Sequence, residues 1–188
     1  MTSATIEAHR CWPLAIHEAA HAVLGVLFDL RLERLEIDLR AWQGATFFKE
    51  QFPPSNWRQD LLVSLAGEIA QKRADSSGWS LDNGIGSSRA AADFEQAWRA
   101  VGRSGHRSDS EDHERLAVSR MAEGQKASAA LVNRLWPTIA ALAARLLDAN
   151  GCLDSEALES FLENEFPIEQ WVAVAGGCEF AKRGPSEE

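Results

Sequence analysis

Between Pro13 and Phe28 the apolar residues Leu14, Ile16, Ala20, Val23, Leu24 and Leu27 fall at the spacing of one helix face. Pro13 suits the first turn of such a helix, where its missing amide leaves no bond unmade. Asp29 ends the run. The segment "RLERLEIDLR" then switches to a period of two. Leu35, Ile37 and Leu39 lie on one side and Arg34, Glu36 and Asp38 on the other, which predicts a half-buried strand. "AWQGATFFKEQF" predicts a glycine turn and a second short strand over 45–50, stopped by Pro53 and Pro54.

Ser55 is placed to cap a helix running to Ala74, "NWRQDLLVSLAGEIAQKRA". Its small central residues Ser64, Ala66, Gly67 and Ala70 permit close packing on another helix. "DSSGWSLDNGIGSS" is a loop by composition. A third helix is expected over 89–101, a second polar loop over 102–109, and further helix over 111–149 with a break or kink at Gly124 and Pro137. Asn150-Gly151 ends that stretch, and Asp154 or Ser155 caps a last helix through Asn164. No period is visible after Pro167. One domain is expected over 1–167 with a tail over 168–188, mainly α, with one small hairpin or sheet in the N-terminal third.

Composition narrows the class of function. A chain of 188 residues, 45% hydrophobic and 25% charged, can bury a core of its own. Its net charge of −9 is spread along the sequence, which argues against nucleic acid as a partner. Cys11, Cys152 and Cys178 form no CxxC pair and are odd in number, so a reducing compartment is the simpler expectation than a disulfide framework. The longest apolar run, residues 22–28, falls well short of the roughly twenty needed for a membrane span. No basic segment followed by an apolar stretch opens the chain. A soluble, cytoplasmic protein is expected.

Residues 15–25, "AIHEAAHAVLG", carry the chemistry. Residues four apart on a helix point the same way, so His17 and His21 can each give a nitrogen to one ion. Glu18 lies about 100° round from His17, beside such an ion and not on it, where a carboxylate can take a proton from water and pass it to a leaving amine. Zinc suits this set, since it binds neutral imidazole and tolerates an open position. The spacing is that of an HExxH metallohydrolase. A buried apolar helix carrying two histidines by chance is the plainer alternative, but burying them with a glutamate is costly without partners.

The third ligand is open on these residues alone. Leu24 and Leu27 occupy the positions of the glycine and third histidine of HExxHxxGxxH, which excludes that class. Glu68 in "LAGEIAQ" and Asp93 in "SSRAAADFEQA" are the carboxylate candidates. His106 and His113 are expected to be solvated, His9 to be surface ahead of the first helix, and the seven tryptophans to be packing residues. The chain has no tyrosine, so an oxyanion must lean on zinc, a histidine, an arginine or a backbone amide.

The sequence resembles the peptidase domain of the FtsH-type ATP-dependent zinc metalloproteases. "AIHEAAHAVLG" is similar to their "HEAGHA" helix, "LVSLAGEIAQ" to their "LGGRAAE" helix and "GIGSSRAAADFEQA" to their "TTGASNDLERA" segment, in the same order, over residues 12–165. Ala20 replaces the motif glycine, and Glu68 and Gln71 replace an Arg and a Glu. The threonines and asparagine of the third motif are absent, and so is any GxxxxGK[ST]. The resemblance implies a helical zincin-like fold with His17, His21 and Asp93 as Zn2+ ligands and Glu18 as the base. It implies a metallopeptidase cleaving peptide or unfolded protein, without a motor of its own and open to partnership with a separate ATPase. The second strand would bind an extended substrate by edge pairing. A zinc hydrolase acting on a non-peptide amide is the neighbouring reading. A non-catalytic metal-binding regulatory or scaffold protein is the rival from another class, for which a fourth protein ligand would speak.

Overall fold

The computed structural model describes residues 3–38, 40–74, 87–103, 111–165 and 173–182. Small side chains allow one helix, α1 (Ser3–Leu27), to run through the middle: Ala15, Ala19, Ala20 and Ala22 are wholly buried along it, with Ile16, Val23 and Leu24. Helices α2 (Trp57–Ala74) and α5 (Trp136–Asp148) pack on α1, and α3 (Ser87–Gly102) and α4 (Glu111–Arg134) pack on α2. The remaining side of α1 is covered by the strands β1 (Leu32–Asp38) and β2 (Gln43–Phe48). A third strand, β3 (Cys152–Asp154), leads into α6 (Ser155–Glu165). The protein is mainly helical, with a small antiparallel sheet in the order β2-β1-β3.

Alternation along β1 buries Leu35 and Ile37 and exposes Arg34 and Asp38, as its period of two predicts. Leu39 lies outside the described residues. Asp38 ends the strand by accepting hydrogen bonds from the amides of Arg40 and Ala41 at 2.8 and 2.9 Å. β2 pairs from Gln43 opposite Asp38 and ends at Phe48, two residues earlier at each end than expected. Glu50 is instead turned onto Arg31, accepting from its backbone amide at 2.8 Å. The three-residue β3 was too short to show a period.

Several expectations about helix ends are corrected. α1 starts at Ser3, so Pro13 lies inside it and His9 belongs to the helix; the side chain of His9 is outside the described residues. Pro13 removes one backbone bond there, while the wholly buried Cys11 and the partly buried Trp12 hold the turn before it against the core. Ser55 caps nothing: it sits in a short 3-10 turn, Pro54–Asn56, with its hydroxyl 3.2 Å from the Asn56 side-chain oxygen. Gly124 does not break α4. It lets α4 approach α2, since a Cβ there would meet Leu61 Cδ2 at 2.5 Å. The break comes at Leu135, with Pro137 in the first turn of α5. Asp154 is the cap of α6, accepting from Ala157 N at 2.9 Å. From the segment after Pro167, Val174, Cys178 and Phe180 join the core, and the Phe180 ring meets Trp57 edge to face. Trp98 corrects the reading of all tryptophans as packing residues, being 36% exposed. Trp79 and Trp171 lie outside the described residues.

The turn into β3 depends on Gly151, which has φ +86 and whose added Cβ would lie 2.4 Å from the Ile37 carbonyl oxygen. Gly151→Ala is expected to cost about 2 kcal/mol or more in urea unfolding, from left-handed strain and a contact with fixed backbone.

Candidate metal centre

One turn of α1 brings both histidines of "HEAAH" to the same side, facing α2 and α3. His17, Glu18 and His21 are buried, at 5%, 4% and 8% exposure. Each imidazole is oriented from behind. His21 Nδ1 donates to the Val63 carbonyl at 2.8 Å, and His17 Nδ1 donates to Gln71 Oε1 at 2.9 Å. With the Nδ1 protons so engaged, both Nε2 atoms turn inward, 3.1 Å apart. Asp93, near the start of α3, brings Oδ2 to 2.9 Å from His17 Nε2 and 3.4 Å from His21 Nε2. Glu68, the other candidate, points elsewhere and pairs with Lys72 one turn along α2.

Among the described residues His17, His21 and Asp93 form a group able to hold a metal ion. A tetrahedral zinc ion with bonds of about 2.0–2.1 Å sets its ligand atoms about 3.3 Å apart. The three observed separations, 2.9, 3.1 and 3.4 Å, bracket that value. A Cβ on Gly67 would lie 2.3 Å from His21 Nε2 and 2.6 Å from His17 Nε2, so α2 presents bare backbone to the cluster. The donor set fits zinc.

Charge tells the same story. Burial disfavours a charged His21, but the hydrogen bond to Asp93, the charges of Asp93 and Glu18, and the Val63 carbonyl outweigh it and raise its pKa to about 9. Burial likewise acts to raise Asp93, yet hydrogen bonds and charge from His17 and His21 hold its carboxyl well below the usual range. Asp93, Glu18 and the Val63 carbonyl thus give the cluster a negative surrounding. It is a pocket for positive charge.

Glu18 lies next to the group without joining it. Its carboxylate Oε2 is 2.9 Å from Thr46 Oγ1 on β2. The cluster and Glu18 open into a cleft of about 520 Å³ lined by β2, Phe52, Asp60, Val63, Gln96 and Arg103, among others. Arg103 pairs with Asp60, which also accepts from Gln96 Nε2 at 3.2 Å. Of the other histidines, His106 and the side chain of His113 lie outside the described residues.

No protein-family model and no curated protein matches the chain. No helix among the described residues is long and apolar enough to cross a membrane.

Four contributors were not legible as site residues. Gln71 and Thr46 act through single hydrogen bonds that leave no local pattern. The Val63 carbonyl is backbone. Gly67 stood out as a small residue for helix packing, and its place against both Nε2 atoms adds a second reason. Gly67→Ala is accordingly expected to favour the helix by about 1 kcal/mol yet to displace the imidazoles. Zinc affinity by competition with a chelator should fall at least about tenfold, as expected when a ligand cage is disturbed, with circular dichroism unchanged.

Proposed function

We propose that this protein is a zinc metallopeptidase with an FtsH-like, zincin-type peptidase fold. The observation that carries the reading is the convergence of His17 Nε2, His21 Nε2 and Asp93 Oδ2 beside a buried Glu18 in an open cleft. The order of elements supports it: an HExxH helix, a strand pair, a small-residue helix, then a helix bearing the carboxylate of the third ligand, Asp93. When bound, zinc would supply Lewis acidity, polarising a carbonyl and easing deprotonation of water.

The residues of the chain do the rest. His17, His21 and Asp93 would hold the ion, next to the cleft. Glu18 takes the proton of the attacking water and hands it to the departing amine, so that the amine leaves neutral. β2 stands at the edge of the sheet, with β1 on one side and the cleft beside it. Its outer backbone groups suit an extended peptide, which favours unfolded chains or loops as substrate. Arg103, in the cleft wall and paired with Asp60, adds a cation to that side of the cleft. The rival reading, a metal-binding scaffold, has no use for a carboxylate held where Glu18 is.

Protein stripped with a chelator and reloaded with zinc tests this reading. Cleavage of an unfolded protein is expected in the reloaded sample alone, with about one zinc per chain. Zinc uptake without cleavage of any unfolded protein or peptide would favour the scaffold. No uptake would overturn both.

A further inference from the structure

We propose that Gly44 and Thr46 of β2 clamp the Glu18 carboxylate, with Thr46 as a positioning residue for the base; this rests on the reading of Glu18 as the proton shuttle. The two residues are separated by one position and so share a face of the strand. That face lies on Glu18. Thr46 Oγ1 is 2.9 Å from Oε2 and 3.0 Å from the Glu18 backbone oxygen, so its one proton has an acceptor in either direction. Gly44 meets the carboxylate from another side, where a Cβ would stand 2.7 Å from Oε1 and 2.6 Å from Cγ. One oxygen is thus tethered by a hydroxyl, while the other occupies space that a glycine leaves open.

A glutamate side chain has several torsions to fix, and a base works only when its oxygen meets the water at hydrogen-bond distance. The clamp fixes them. It also ties two tasks to one element, because β2 lines the cleft along which an extended chain would lie. The strand that sets the substrate backbone also sets the base, and a change in its register moves both together.

Thr46→Val keeps the shape and removes the hydroxyl, whereas Thr46→Ser keeps the hydroxyl. In zinc-loaded protein, Thr46→Val should lower kcat about tenfold or more, with KM changed by less than about threefold, because a displaced catalytic group costs rate more than binding. Thr46→Ser should restore most of the rate, and zinc content should be equal in all three proteins. Thr46→Ala serves as a second hydroxyl-free variant with the same expected loss. Crystal structures give a readout independent of activity: the Glu18 carboxylate should leave its place in Thr46→Val, and be pushed from it in Gly44→Ala. Full activity in both hydroxyl-free variants, or an unmoved Glu18 in their crystals, overturns the clamp. Should the parent bind zinc but cleave nothing, the peptidase reading fails by itself, and the position of Glu18 in the variant crystals still decides the clamp.

Discussion

Glu18→Gln should leave zinc content and thermal stability near those of the parent and abolish hydrolysis. The amide has nearly the same shape and can still accept from the Thr46 hydroxyl, 2.9 Å away in the parent. It cannot take a proton from water. Loss of a general base costs about a hundredfold or more in kcat, and the loss should appear in kcat and kcat/KM alike, as for a group that acts in the transition state alone. A Glu18→Gln protein as active as its parent would assign water activation to another group and remove the main reason for reading an enzyme here.

The second large effect concerns the ligand set. His17→Ala and His21→Ala should each abolish stoichiometric zinc binding, and activity with it, since a three-ligand site reduced to two holds zinc poorly. Asp93→Ala should weaken zinc binding markedly while the fold persists, because Asp93 stands on α3 with its side chain 29% exposed. Glu68→Ala should leave zinc in place. It removes only the pair with Lys72, a partly exposed contact worth about 0.5 kcal/mol at most. Metal analysis of the four variants after dialysis separates the cases. Zinc lost from Glu68→Ala and kept by Asp93→Ala would reverse the assignment.

What the sequence made legible was local. The relation between His17 and His21 is fixed by one helical turn, so it can be read from four consecutive steps of chain. The strand alternation at Leu35 and Ile37 is local in the same way. Asp93 is 76 residues from His17, and no periodicity could choose it over Glu68. Only the packing of α3 on α2 brings it to the histidines, and the resemblance to a known family, with its place just after a Gly-rich loop, pointed there. Thr46 and Gln71 reach the site across 28 and 54 residues through single hydrogen bonds, which leave no trace in composition or pattern. The misread helix boundaries have a tertiary cause too. Pro13 looks like a first-turn residue unless Cys11 is known to be buried behind it, and Gly124 looks like a breaker unless Leu61 is known to lie against it.

The existence of the metal centre is the claim on which the rest depends. The most direct measurement is a crystal structure of zinc-loaded protein with anomalous differences recorded on both sides of the zinc absorption edge. One strong peak is predicted within about 2.0–2.2 Å of His17 Nε2, His21 Nε2 and a carboxylate oxygen of Asp93, with the fourth position open to the cleft beside Glu18. A map with no peak at that position, or a zinc ion held by Glu68 while Asp93 faces solvent, would contradict the account.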